Sequence, residues 1–242
     1  GTEEARLIHL AAAYGVGAPG ESIVTIDIGG GSVEITRGQG SSIDMGRSFK
    51  VGVIRLTERF VKSDPIAPRD ERKLVRHVTS ELGDYVNRIA KAGFDRVVGT
   101  SGTILSLGTV ASGGRPPHGS LRNRRVPAKA IRRARRTIAS MTLERRLRIP
   151  GLDPRRADLA VAGAILLDVV LRRLDADDIT LCDLSLREGL VLDYIARHRR
   201  EIAQADQYPD VRRRSVVELA ERCNYAADHA RQVARLSLSL FD

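Results

Sequence analysis

The sequence predicts an α/β protein, and three features carry that expectation. Short apolar runs of strand length, SIVTIDI from Ser22 and DRVVGT ending at Thr100, each stop at a glycine turn. Between them, apolar residues recur at helical spacing, as at Leu74, Val78, Leu82 and Ile89. Strands alternating with crossover helices build a layered sheet.

Taken in order, TEEARLIHLAAAYG reads as a helix with Leu7, Ile8 and Ala11 on one side and Gly15 as its terminator. SIVTIDI is a strand, the glycines at 29–31 form a turn, and SVEITRG returns as the second strand of a hairpin. SSIDMG adds a third strand, and VGVIRLTERFV is helical. Pro65 and Pro68 precede one long helix carrying Leu74, Val75, Val78, Leu82, Tyr85, Val86 and Ile89 on a single stripe. DRVVGTSGT repeats the strand and glycine turn, so two such turns face one cleft. A Pro/Gly/Arg-rich loop over 113–127 leads to helices over 128–141 and 158–174, a buried strand DITLCDLS and a helix LREGLVLDYIARH. After a polar connector at 204–210 the chain is wholly helical.

Composition narrows the functional classes. In 242 residues, 42% of them apolar, no uninterrupted apolar run approaches the roughly 20 residues of a membrane span, and no signal-type stretch opens the chain. A cytoplasmic protein with no membrane partner is expected. Two cysteines, Cys182 and Cys223, lack metal-ligand spacing and read as reduced structural thiols. The net charge of +10 points to a polyanionic partner, and arginine is concentrated over 115–156. Nucleic acid is the weaker candidate, because aromatics are only 4% and stacking platforms are not evident. Solvated helix faces account equally well for many individual arginines.

The DIGGGS string, Asp27 to Ser32, joins a strand-end carboxylate to consecutive glycines. Glycines let backbone N–H groups approach phosphate while a carboxylate holds a divalent cation, although a plain tight hairpin uses the same residues. Period-2 alternation puts Glu34 on the strand face of Ser32. GTSGT, Gly99 to Thr103, offers freed amides and three hydroxyls at a helix start, which suits an anion as well as an ordinary cap. Of the opening carboxylates, Glu3 looks toward Arg6 and Leu7, whereas Glu4 lies over Leu7 and Ile8, a setting that suits a general base acting on water, although a Glu this close to a chain end more often is simply solvent-exposed.

Together EEARL, DIGGGSVE, MGRSFKVGVIRLTERF, GTSGTILSL, RADLAVAGAILLDVV and SLREGL resemble the ordered signatures of the Ppx/GppA family of exopolyphosphatases and guanosine pentaphosphate phosphohydrolases. The resemblance implies the actin-like, sugar-kinase fold of two ribonuclease-H-like lobes with the active site between them. It implies Glu4 as catalytic base, Asp27 and Glu34 as metal carboxylates, and Mg²⁺ or another divalent cation as cofactor. It further implies Gly29, Gly30, Gly31 and Ser32 as one phosphate loop, and Gly99, Thr100, Ser101, Gly102 and Thr103 as a second, with Gly102 and Thr103 its donors. Polyphosphate or guanosine pentaphosphate is the implied substrate, the arginines of 115–136 its further grip, and a homodimer a common family state. A DxGSNS-type loop is absent from the sequence. The expected division is therefore a helix from the end of a largely missing first lobe at 1–21, a second ribonuclease-H-like lobe at 22–203, and the start of an HD-like helical domain at 204–242, with the chain cut at both ends. Asp228–His229 is in reversed order for an HD metal pair and reads as structural. Two other classes are a non-catalytic polyphosphate- or alarmone-binding module and a sugar- or acetate-kinase relative. SLREGL and EEARL argue against the latter.

Overall fold

The computed structural model describes residues 1–17, 20–114, 121–199, 202–203 and 210–241. The connector at 204–209 and the loop residues 115–120, Arg115 among them, lie outside the described residues. The chain forms two compact units, 1–193 and 194–242.

In the first unit a six-stranded sheet runs in the order β3-β2-β1-β4-β6-β5. Its strands are β1 (Ser22–Ile28), β2 (Val33–Gln39), β3 (Ser42–Phe49), β4 (Arg96–Thr100), β5 (Arg125–Pro127) and β6 (Asp178–Leu181). β1, β4 and β6 are parallel neighbours, while β2 pairs antiparallel with both β1 and β3. β5 is a short antiparallel edge inside the segment expected to be loop. The helices are α1 (Thr2–Val16), α2 (Val53–Phe60), α3 (Pro68–Leu82), α4 (Tyr85–Ala92), α5 (Ser101–Ala111), α6 (Ala128–Ser140), α7 (Leu143–Arg146), α8 (Ala160–Leu174) and α9 (Leu186–Arg197).

Alternation along the central strands sorts their side chains into two cores. Val24, Ile26, Ile28, Val33, Ile35 and Val97 join the large cluster under α8, whereas Ile23 and Val98 meet Ala12, Ala13 and Val16 of α1. Burial on both faces explains why SIVTIDI reads as a continuous apolar run. The face covered by α1 becomes polar toward the strand ends, passing from Ile23 through Thr25 to Asp27. His9 marks the midpoint, its Nδ1 lying 2.9 Å from Thr36 Oγ1 and 3.2 Å from Thr25 Oγ1. Burial holds the His9 pKa down at about 4. Glu4 lies five helical residues before His9, roughly 7.5 Å, and Asp27 two strand residues beyond Thr25, roughly 6.6 Å. The start of α1 and the end of β1 therefore arrive together.

Several helix limits differ from expectation. Gly15 lies inside α1, where a Cβ would come within 2.6 Å of Cys182 Sγ, so its smallness lets the helix press on the sheet. Gly17, left-handed at φ 61°, ends the helix instead. The expected single long helix is two, α3 and α4, because Gly83 turns the chain at φ 52°. The C-terminal stretch likewise divides into helices Val211–Arg222 and Ala227–Ser239, capped at the first by Asp210. Among the described residues no helix is long and apolar enough to cross a membrane.

Candidate active site

Sheet register builds the site. Asp27 pairs with Glu34 across the β1–β2 ladder and with Thr100 across the β1–β4 ladder, so the three form one row at the strand ends. Both carboxylates are buried, Asp27 at 6% exposure and Glu34 at 3%, and neither makes an ion pair among the described residues. Ser185 Oγ donates to Asp27 Oδ2 at 3.0 Å, and Ser48 Oγ donates to Glu34 Oε1 at 2.6 Å. Burial pushes the Asp27 carboxyl up to about 6, the Glu34 and Glu4 charges push the same way, and the Ser185 and Ser101 hydroxyls pull it back. Two buried carboxylates that accept from hydroxyls and have no basic partner among the described residues favour a cation beside them.

The two glycine turns flank this row. In the first, the carbonyls point away from the site and cap α2: Gly29 O accepts from Val53 N, Gly30 O from Ile54 N, and Gly31 O from Gly52 N and Arg55 Nε. Gly29 N–H is spent on Ser32 O at 3.0 Å. With the carbonyls committed to α2, the amides of Gly30, Gly31 and Ser32 meet no protein acceptor among the described residues and form an anion-favouring concavity. Gly52 is what allows the close approach, since a Cβ there would stand 2.3 Å from Gly30 O. Gly52→Ala is expected to cost about 1–3 kcal/mol through overpacking, read as a lower urea midpoint at unchanged slope.

The second turn opens α5. Thr100 spends its hydroxyl on Leu184 O at 2.7 Å, so the first-turn amides of α5, those of Gly102 and Thr103 included, have no side-chain cap. Ser101 holds φ 80°, costly for a residue with a Cβ, and its Oγ donates to Ile28 O at 3.0 Å, tying the two turns together. Gly99 lies inside β4, where Ile104 and Ile179 pack into the space a Cβ would fill. Gly102 has a specific reason to be glycine: a Cβ would fall 2.5 Å from a terminal nitrogen of Arg156, whose guanidinium covers the turn.

At the start of α1, Glu4 is partly exposed, while Glu3 pairs with Arg6. Of the two, Glu4 is the one whose charge joins that of Glu34 in pushing the Asp27 carboxyl up. Sequence reasoning gave no role to Ser185 or Arg156, although both head strings it used, SLREGL and RADL. Within the segment 115–136, Arg122 pairs with Asp183, Arg125 with Asp178, and Arg132 and Arg135 with Asp168, so these four guanidiniums also tie the fold together. Among the described residues no three His, Cys, Asp or Glu side chains stand close enough to hold a metal alone.

A sheet of parallel central strands with an antiparallel hairpin at one side thus places a carboxylate row between two glycine turns. The pattern of the Ppx/GppA phosphatase family matches residues 1–198, and the chain belongs to that family. Exopolyphosphatase 1 of Mycobacterium leprae is 32% identical over 193 residues, 79% of this chain and 57% of that protein. The guanosine-5'-triphosphate,3'-diphosphate pyrophosphatase of Vibrio atlanticus is 28% identical over 244 residues, 100% of this chain and 46% of its own length. The chain thus spans about half the length of the curated relatives it matches. Among solved structures, an exopolyphosphatase from Cytophaga hutchinsonii superposes with TM-score 0.74 at 27% identity, covering 81% of this chain and 64% of that one. The Aquifex aeolicus Ppx/GppA protein superposes with TM-score 0.71 at 24% identity, covering 81% and 63%. The fold is that of the actin-like ATPase superfamily.

Proposed function

We propose that this chain supplies the metal- and phosphate-holding lobe of a hydrolase that removes the terminal phosphate of polyphosphate or guanosine pentaphosphate. The observation that carries the reading is the unpaired, buried Asp27–Glu34 row between the two turns. Asp27 and Glu34 fit a divalent cation such as Mg²⁺, which is commonly held by one or two carboxylates together with substrate phosphates. Such a cation supplies neutralisation of charge on phosphoryl oxygens.

The chain's own residues do the rest. Amides at 30–32 and at the start of α5 receive the non-bridging oxygens of the terminal phosphoryl, where charge develops. The Arg156 fork covers the α5 side of that position. Glu4 orients a water in line with the leaving oxygen and takes its proton as the new P–O bond forms and the bridging P–O bond breaks. Ser185 fixes the Asp27 carboxylate.

The test is phosphate release by the full-length protein carrying this chain, with polyphosphate and with guanosine pentaphosphate, each with and without Mg²⁺. Magnesium-dependent release from at least one substrate is expected. Tight binding of both without release identifies a binding module instead.

A further inference from the structure

Away from the strand ends, helices α3, α6 and α8 line an open cavity of about 580 Å³ whose polar residues are Glu71, Arg72, Arg76, Arg135 and Arg172. Behind it Asp168, whose side chain is 2% exposed, receives Arg132 at 3.2 Å, Arg172 at 3.3 Å and also Arg135. Arg135 reaches Glu71 as well. Five guanidiniums share two carboxylates, which leaves three positive charges uncompensated.

An internal zipper of Asp168 with its three arginines explains part of this cluster and no more. Arg72 and Arg76 bond to nothing among the described residues, yet both face the same space. They stand at i and i+4 on α3, where like charges repel and destabilise a helix. Arg135 Nε is a buried donor without an acceptor. Two guanidiniums held unpaired on one cleft beside the Arg135 fork favour an acceptor-rich anion.

We propose that this cavity binds a multiply charged phosphate anion at a site separate from the strand-end site. Guanidinium forks match phosphate oxygens two at a time, and the volume admits a group the size of pyrophosphate or tripolyphosphate. The same helix serves both sites: Gly163 of α8 packs against Thr103 of the second turn, and Arg172 lies nine residues further, roughly 14 Å along the axis. Short free phosphates and an internal stretch of a longer chain share this chemistry.

Calorimetric titration of the full-length protein with pyrophosphate, and separately with long-chain polyphosphate, tests the assignment. The wild type is expected to show two classes of site, and R72A/R76A to lose one of them with at least a tenfold fall in its affinity. Arg72 and Arg76 are exposed and repel each other, so the double variant should melt no lower than the wild type. R72K/R76K keeps the charge but not the fork and should bind at intermediate strength. Gly102→Ala, which displaces Arg156, should weaken only the other class. Loss for pyrophosphate assigns the cavity to free ligands, and loss for long chains alone assigns it to a substrate tail. A single class abolished by R72A/R76A upholds the cavity while counting against the strand-end site. Unchanged stoichiometry and affinity for both ligands in R72A/R76A overturns the proposal.

Discussion

Asp27→Asn is expected to make the protein more stable at neutral pH and, under the proposed function, to abolish magnesium-dependent phosphate release. The folded carboxyl titrates near 6 against an ordinary value of 3.8, so the unfolded chain binds fewer protons between those values. Stability from this group is therefore fully present below pH 3.8 and is lost as pH rises through 6. The difference corresponds to about 3 kcal/mol at pH 7, because each unit is worth roughly 1.4 kcal/mol. Asparagine removes the buried charge while still accepting from Ser185. For a unit of this size the melting temperature should rise by about 5–10 °C. Added Mg²⁺ should raise the melting temperature of the wild type and leave that of the variant unchanged, since the cation's ligand is gone. His9 works in the opposite sense: its pKa is held down at about 4, so its contribution is present above 6.5 and is lost as pH falls through 4. Scanning calorimetry from pH 4 to 8 separates the two, because Asp27→Asn should flatten only the decline on the neutral side. A variant no more stable than wild type at pH 7 contradicts the buried-charge account.

Glu4→Gln in the full-length protein should bind substrate nearly as well as the wild type and turn it over orders of magnitude more slowly. General-base assistance contributes roughly 10²–10⁴-fold, and glutamine keeps the shape of the side chain while losing its ability to take a proton. Loss of a step made only in the transition state lowers kcat and kcat/KM together. Steady-state phosphate release, paired with equilibrium binding of polyphosphate, reads this directly. A variant that keeps wild-type turnover removes Glu4 from the mechanism. One whose binding collapses assigns Glu4 to holding the substrate.

Most of this architecture was legible in the chain because its signals are local. SIVTIDI and DRVVGT announce strands through β-branched runs, and DIGGGS and GTSGT announce turns through glycine. The period that put Glu4 over apolar residues depends only on helical geometry, and α1 is a helix. What the chain hides is whatever depends on residues far apart in sequence. Ser185 meets Asp27 across 158 positions, and Arg156 lies over Gly102 from a different segment. Neither pairing has a local pattern to announce it. Gly15 was mistaken for a terminator because a glycine needed for packing and one needed for a left-handed cap look alike in sequence. Gly83 was missed for the opposite reason, since the apolar stripe continues across it while the backbone does not. The arginines show the same limit, because charge composition records how many cations are present and not which carboxylates already neutralise them.

Under the proposed function the Asp27–Glu34 row is a divalent-cation site facing bound phosphate. A crystal structure of the full-length protein grown with Mn²⁺ and a non-hydrolysable polyphosphate analogue tests it most directly, since anomalous scattering locates the metal without assumption. The expected result is a peak at roughly 2.1 Å from an Asp27 carboxylate oxygen, with phosphate oxygens completing its coordination beside the amides of residues 30–32. Manganese located elsewhere, or phosphate bound at these turns with Asp27 still held only by Ser185, would contradict it.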